Sequence, residues 1–247
     1  GPDNTPTFTD ATDPKTQVTV DLYGTYVFEW REINGNCTRT DQVTIDFNED
    51  PDGAAAGADA TAVCDALTIT LDGTGHTYQV GSDHAGSTRT WLYISGPDNT
   101  PTFTDATDPK TQVTVDLYGT YVFEWREVNG NCTRTDQVTI DFNEDPDGAA
   151  AGADATAVCD ALTITLDGTG HTYQVGSDHA GSTRTWLYIS GPDNTPTFTD
   201  ATDPKTQVTV DLYGTYVFEW REVNGNCTRT DQVTIDFNED PDGAAAG

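Results

Sequence analysis

A short loop of this sequence contains the residue types of a hydrolytic triad. Ser82, Asp83 and His84 are consecutive, and the whole segment 81–87 recurs unchanged at 176–182. A serine nucleophile, a histidine base and an orienting carboxylate must lie in line, which neighbours in one loop cannot generally do. Enzymes also seldom duplicate an active site along one chain. The sequence therefore predicts no catalytic residue and no enzyme activity.

Cysteines offer a second kind of chemistry, disulfide formation. Each complete repeat carries one pair, Cys64 with Cys132 and Cys159 with Cys227, while Cys37 is unpaired and its partner is expected upstream of Gly1. Without a CxxC spacing these cysteines do not resemble a zinc site, and one pair per domain is typical of an oxidising compartment. We predict one disulfide within each unit, which closes a loop of about 68 residues and stabilises it by about 4 kcal/mol in the chain-entropy model.

Carboxylates at the end of each repeat offer a third chemistry, the binding of a hard cation. Glu144, Asp145 and Asp147 close one repeat, and Asp154 opens the next. Carboxylate oxygens at such a boundary could bind calcium and stiffen a chain of domains. The alternative is a solvated acidic turn, since the spacing is not that of an EF-hand. The sequence predicts no other cofactor.

The elements that must position these residues belong to a tandem array with a period of 95 residues. Residues 1–57, 96–152 and 191–247 are identical except that Ile33 corresponds to Val128 and Val223, and residues 58–95 recur at 153–190. The period is longer than the roughly 20 to 50 residues of solenoid repeats and matches one independent domain. We expect the C-terminal part of an incomplete repeat, two complete repeats and a linker into the next repeat, at 1–51 (unit 1), 52–146 (unit 2), 147–241 (unit 3) and 242–247.

Apolar residues within each repeat alternate with a period of two, which is typical of strands with one buried face. In unit 2 the four clearest stripes are Leu67, Ile69 and Leu71; Val113, Val115 and Leu117; Tyr121, Phe123 and Trp125; and Val138, Ile140 and Phe142. Shorter candidates are 77–80, 89–95 and 100–104. About seven short strands rich in threonine, valine and aromatic residues predict an all-β fold of tandem immunoglobulin-like sandwiches.

Two residues sharpen this prediction. Tyr121 lies where a tyrosine corner begins the penultimate strand of an immunoglobulin-like sandwich, and Trp91 fits the core tryptophan of a middle strand. Asn129 and Gly130 favour a tight turn between the last two strands, although the polar segment after them favours a longer loop. We expect those two strands to be adjacent and antiparallel.

The segment 119–132, Gly-Thr-Tyr-Val-Phe-Glu-Trp-Arg-Glu-Val-Asn-Gly-Asn-Cys, followed by Asp-Gln-Val-Thr-Ile at 136–140, resembles the PKD-like or immunoglobulin-like repeats of very large surface proteins of the Bacteroidota. The segment Ala-Gly-Ala-Asp-Ala before Cys64 resembles the opening of those repeats, which more often read Ala-Gly-Pro-Asp-Gln, so this chain departs at Ala153 and its neighbours. The resemblance implies type IX export and display at the cell surface, in an adhesin, a gliding-motility filament or a stalk.

The net charge of the chain limits the classes of partner that it can bind. The formal net charge of −30 disfavours binding to nucleic acid and anionic membranes, and no apolar run reaches the length of a membrane span. The expected partners are neighbouring repeats of the same chain, with bundling into a fibre of several chains left open.

Two functions remain, a structural shaft that extends an adhesive or motility function from the cell, and a weak binding module that acts by avidity on surfaces or glycans. The inward position of most aromatic residues favours the shaft, and the short connection at 147–153 together with repulsion between acidic units predicts an extended, semi-rigid rod.

Overall fold

The computed structural model describes residues 1–3, 5–97, 100–192 and 195–241. The described residues form strands and loops only, without a helix. The linker expected at 242–247 lies outside the described residues. The strands are β1 (Thr7–Phe8), β2 (Val18–Thr19), β3 (Gly24–Asn34), β4 (Cys37–Phe47), β5 (Ala60–Thr61), β6 (Thr68–Thr70), β7 (Thr88–Ser95), β8 (Thr102–Phe103), β9 (Gln112–Thr114), β10 (Gly119–Asn129), β11 (Cys132–Phe142), β12 (Ala155–Thr156), β13 (Thr163–Thr165), β14 (Thr183–Ser190), β15 (Thr197–Phe198), β16 (Gln207–Thr209), β17 (Gly214–Asn224) and β18 (Cys227–Phe237).

Unit 2 is a sandwich of two sheets. The larger sheet has the order β5-β11-β10-β7, with β5 parallel to β11 and the other neighbours antiparallel, and the smaller sheet has the order β6-β9-β8. Unit 3 repeats both sheets as β12-β18-β17-β14 and β13-β16-β15. The predicted all-β fold of tandem sandwiches is confirmed.

The alternating stripes supply the core of each sandwich. Tyr121, Phe123 and Trp125 on β10 are fully buried, and Trp91 on β7 packs beside Trp125 with ring centroids 5.3 Å apart. Val113 on the smaller sheet closes the core from the opposite side. Large aromatic side chains contribute most of the apolar area that such a sandwich buries, so this layer dominates its stability.

The tyrosine corner is present. Tyr121 donates a hydrogen bond of 2.8 Å from its hydroxyl to the carbonyl of Leu117, and Tyr216 makes the same bond to Leu212. Because the bond ties the start of the penultimate strand to the preceding loop, it fixes where the long hairpin begins. The expected antiparallel pairing of the last two strands and the buried position of Trp91 are likewise confirmed.

Two local expectations are wrong. The loop after Asn129 contains only Gly130 and Asn131, because the polar residues that follow are already paired in β11. Gly130 has a φ of 57°, the left-handed value that a tight turn requires and that glycine adopts without a steric penalty. The segment 77–80 is a loop and not a strand, since its backbone serves a contact between units that is described below.

The described residues of unit 1 form β1 to β4. Trp30 and Phe28 correspond to the fully buried Trp125 and Phe123 but are only partly buried, and Val43 is exposed. Together with Phe8 and Ile45 they line an open apolar cleft. In units 2 and 3 the strands that precede this part of the repeat cover the same face. The described residues contain no helix long and apolar enough to cross a membrane.

Candidate functional site

The predicted disulfides within units are wrong because their cysteines lie at opposite ends of the sandwich. Cys132 is the first residue of β11, whereas Cys64 lies beside the end of that strand, where the Asp65 amide donates to the Asn143 carbonyl at 3.0 Å. Eleven residues of extended strand separate the two positions by about 35 Å. A disulfide needs Cα atoms within about 7 Å. The same geometry separates Cys159 from Cys227.

The disulfide in the structure joins two different units. Cys64 of unit 2 is bonded to Cys227 of unit 3, with 5.7 Å between their Cα atoms and 163 residues between them in sequence. Cys37, Cys132 and Cys159 are free thiols. Cys227 stands at the tip of the β17-β18 hairpin, which reaches across to the loop of unit 2 that follows β5. Asn226 confirms this contact by donating a hydrogen bond of 3.3 Å to the Ala62 carbonyl.

The bond lies within an extensive contact between units 2 and 3, which we call the second junction. It comprises residues 62–65, 116–118 and 143–146 of unit 2 and residues 171–179 and 224–229 of unit 3. At its centre, the Glu144 carboxylate accepts a hydrogen bond of 2.9 Å from the Gln174 amide. The His171 and His179 Nε2 atoms lie 3.3 and 3.4 Å from its two oxygens. The Glu144 side chain is only 14% exposed, so residues of unit 3 enclose a carboxylate of unit 2.

The tip of the β17-β18 hairpin provides the other half of the second junction. Asn224 donates a hydrogen bond of 2.9 Å to the Glu144 carbonyl, and Arg229 holds Asp145 with two guanidinium nitrogens. Hydrogen bonding to Asp145, followed by its charge, raises the pKa of Arg229. Two parallel bonds fix the direction as well as the distance between the groups, so this pair helps to set the angle between the units.

The first junction, between units 1 and 2, has the same contacts one period earlier. Glu49 accepts from the Gln79 amide at 2.9 Å and lies 3.3 and 3.5 Å from the His76 and His84 Nε2 atoms, and Arg134 holds Asp50. It has no disulfide, yet the Cys132 sulfur lies 3.8 Å from the Asn48 carbonyl, as the Cys227 sulfur lies 3.7 Å from that of Asn143. Non-covalent contacts therefore give the same arrangement with and without the bond.

The loop with triad residue types belongs to these junctions. The Ser82 hydroxyl accepts from the Tyr23 amide at 2.8 Å and donates to Gln79, while the Asp83 amide donates to the Tyr23 carbonyl. His84 stacks on Tyr78 with centroids 4.3 Å apart. The serine hydroxyl therefore bonds to a glutamine and to the neighbouring unit, and the loop serves contact between units.

A buried acid supports the loop from inside the sandwich. Glu127 is 1% exposed and accepts hydrogen bonds from the Trp125 ring at 3.0 Å and from the His76 amide at 3.1 Å. Burial, and after it the charge of Glu127, raises the pKa of Tyr78 in the same loop. A buried carboxylate that lacks partners costs several kcal/mol, so these donors fix where the loop leaves the core.

The candidate calcium ligands are dispersed among protein donors. Glu144 and Asp145 face unit 3 as described, Asp147 lies 3.4 Å from the His171 Nδ1 atom, and Asp154 accepts from the Thr234 amide at 2.7 Å. Within the described ranges no group of three histidine, cysteine or acidic residues is placed to hold a metal ion. Glu144 and Asp145 thus bind groups of the neighbouring repeat, whereas Asp147 and Asp154 contact groups of their own unit, and the structure gives no support to a calcium site.

Sequence reasoning named Glu144 and Asp145 as candidates but missed the junctions and the partners Gln174, His171 and Arg229. One signal was available: Glu49, His76, Gln79 and His84 are polar residues that recur without change in the next repeat as Glu144, His171, Gln174 and His179. Repetition of the whole sequence hides this signal, because every residue of the repeat recurs and recurrence cannot separate contact residues from the rest.

The hairpin tip provides a direct test of the second junction. We expect Gly225→Ala to weaken it by about 1–3 kcal/mol, since an added Cβ would overlap the Asn143 side chain and the residue has a φ of 58°. Gly35→Ala is the matched control, because Gly35 has a φ of 60° at the same turn position with nothing within 4 Å. The distribution of energy-transfer efficiencies between fluorescent dyes on units 2 and 3 should broaden only for Gly225→Ala. Equal broadening in both variants would contradict the described contact.

No protein-family model matches the sequence, and no curated protein matches it. Solved structures similar to this chain include the PKD domain from the KIAA 1837 protein, with 25% identity, 40% of this chain and 92% of that chain covered, and a TM-score of 0.30. Extracellular domains 3–5 of Drosophila OTK match with 8% identity, 90% and 75% coverage and a TM-score of 0.46. Titin domains I67–I69 match with 10% identity, 78% and 65% coverage and a TM-score of 0.41. These similarities are to a PKD domain and to immunoglobulin domains of titin, among others.

Proposed function

We propose that this chain is a shaft segment of an extracellular surface protein, in which stiffly joined sandwiches space an adhesive or motility function from the cell. The observation that carries the proposal is the position of the two junctions on unit 2. Asn129, at the tip of its long hairpin, contacts unit 1, and Asn143, just past the other end of that hairpin, contacts unit 3. Contacts at opposite ends of a sandwich stack the units end to end.

The setting outside the cell is supported by the cysteine chemistry. A disulfide between units persists in an oxidising compartment, and the acidic surface keeps a long chain soluble. The resemblance to repeats of very large Bacteroidota surface proteins supports type IX export and a cell-surface parent. The same resemblance includes adhesins and gliding filaments, so the proposal is a shared mechanical role and not catalysis.

The alternative is that each repeat binds a surface or glycan weakly. Binding platforms for glycans need aromatic rings on an outer face, as interfaces in general are enriched in aromatic residues. In the described parts of units 2 and 3, the exposed large apolar side chains are aliphatic and scattered, among them Val63, Val80 and Val175. This surface favours the shaft over the binding module.

Small-angle scattering on the full chain tests the shaft. We expect a maximum dimension of about 110 Å, because each long hairpin spans about 37 Å and the junctions place units end to end. A compact protein of this length would have a radius of gyration of about 18 Å, and the measured radius should be clearly larger. Chelator should leave the curve unchanged, since the junction acids bind protein donors. A maximum dimension near 60 Å would overturn the shaft and favour the binding module.

A further inference from the structure

The disulfide at the second junction stands at a position that every repeat possesses. Cys64 follows the first strand of unit 2, and Cys227 begins the last strand of unit 3, so the bond runs from an early cysteine of one repeat to a late cysteine of the next. We propose that this bond is one link of a covalent ladder in which each repeat is bonded to its neighbour, and that the ladder bears tension along the array in place of the folded sandwiches. The purpose of the ladder rests on the proposed shaft function, whereas its connectivity does not.

The free cysteines of the complete units are the remaining bonding positions of this ladder. Cys132 corresponds to Cys227 and already lies in the same contact with the preceding unit, beside the Asn48 carbonyl. Cys159 corresponds to Cys64 and is exposed at the far end of unit 3. Cys132 thus presents a thiol to the repeat that precedes unit 2, and Cys159 presents one where a further repeat would join unit 3. The partner that fits is an early cysteine of the preceding repeat for Cys132 and a late cysteine of a following repeat for Cys159.

Formation of each link balances as thiol–disulfide exchange. The two thiols of a junction lose two protons and two electrons, and a sulfur–sulfur bond forms between them. A small-molecule disulfide of the oxidising compartment accepts the electrons, its own sulfur–sulfur bond breaks, and it leaves as two thiols. The non-covalent contacts place the late cysteine at the junction before the reaction, since Cys132 lies 3.8 Å from the Asn48 carbonyl without a disulfide.

The connectivity decides how the chain responds to tension. Force applied at the two ends enters at Cys64 and leaves at Cys227, so the 162 residues between them carry no covalent load while the bond is intact. A disulfide within each unit would instead leave the boundary between units as the extensible part. Cys132 and Cys159 are 27 residues apart (159 minus 132). Twenty-seven residues extend to about 95 Å at most.

The length to which a repeat can be stretched differs between disulfides within units and disulfides between units. With bonds inside units, each repeat could stretch to about 95 Å, more than twice the roughly 40 Å of a folded unit. With the ladder, the load passes through only one such boundary for every two repeats. That boundary extends to about 95 Å, whereas two folded repeats already span about 80 Å. A chain bonded in this way can lengthen only slightly, even if a sandwich unfolds.

Force spectroscopy on the full chain tests the proposal. The chain carries Cys37→Ser, Cys132→Ser and Cys159→Ser, so that only the Cys64–Cys227 bond can form, and is pulled from its two ends. We expect the oxidised chain to show no unfolding step from the enclosed segment. Reduction of the same molecules should add about 550 Å of contour length, the extension of the 163-residue separation.

A second variant keeps the test decisive if reduction disturbs folding. Adding Cys64→Ser to the same chain should give the long extension under oxidising conditions, with circular dichroism as the check that the sandwiches remain folded. Non-reducing peptide mapping of the unsubstituted chain should recover Cys64 linked to Cys227. The proposal is overturned if mapping recovers Cys64 with Cys132, or if the oxidised chain releases the full length. Scattering that shows a compact chain would refute the shaft while leaving this bond and its shielding intact.

Discussion

Replacing Trp125 and its equivalent Trp220 by alanine should lower the free energy of unfolding of each complete unit by about 3–5 kcal/mol. Trp125 is fully buried, packs against Trp91 and donates its ring N–H to Glu127. The substitution opens a cavity and also removes a donor from a carboxylate that is 1% exposed. Both tryptophans are replaced so that the unfolding transitions of unit 2 and unit 3 both shift.

Denaturant unfolding followed by circular dichroism measures this effect, with Trp30→Ala as the matched control. Trp30 has the same position in unit 1, but its ring is only partly buried and its hydrogen bond to Glu32 is exposed. We expect the control to change the unfolding free energy by less than 1 kcal/mol. If Trp30→Ala lowered the unfolding free energy as much as the core substitutions do, burial in the sandwich core would not explain the effect at Trp125 and Trp220.

Glu144→Ala should decouple units 2 and 3 in the reduced chain, at a cost of about 2–4 kcal/mol to their contact. The carboxylate is 14% exposed, accepts from the Gln174 amide at 2.9 Å and lies within 3.4 Å of two histidines. Its removal leaves the Gln174 amide without its acceptor and removes the charge beside the two histidines. The sandwiches themselves should keep their stability, because Glu144 lies outside both hydrophobic cores.

The chain provides a control for this substitution with the same residue type at the same place in the repeat. Glu239 corresponds to Glu144 but is exposed, and no described unit follows it. Hydrogen exchange of the Gln174 amide should accelerate strongly in Glu144→Ala and remain unchanged in Glu239→Ala. If both variants exchange at the original rate, the carboxylate does not hold the junction.

Much of the fold follows from local patterns in the sequence. The period of two in the stripe at Tyr121, Phe123 and Trp125 specifies which face is buried, and the residue order specifies the corner at Tyr121. These features are local, because a strand presents alternate residues to one side whatever it packs against. The turn at Gly130 was less predictable, because the polar residues after it form the start of β11. This part of β11 is stabilised by its pairing with β10 and not by burial.

The site was less predictable because it depends on distances between units. A pair of cysteines per repeat is compatible with pairing inside a unit or between neighbours, and sequence spacing does not distinguish the two when every unit is alike. The strand length decides between them, because Cys132 and Cys64 lie at opposite ends of β11. The acids at Glu144 and Asp145 likewise matched both a cation site and contacts with a neighbour, and only the positions of Gln174 and Arg229 resolve this choice.

The non-covalent contacts of the two junctions use equivalent residues at distances that agree within about 0.1 Å, and this has a geometric consequence for a longer array. If Glu49 and Glu144 each receive the next unit in the same way, one rotation and one translation relate every unit to its successor. Repeated application of a single screw operation generates a helix, whose twist is fixed by the rotation at one junction. Identical surface residues would then recur along a helical line, so two such arrays could match charge to charge over their whole length or repel throughout.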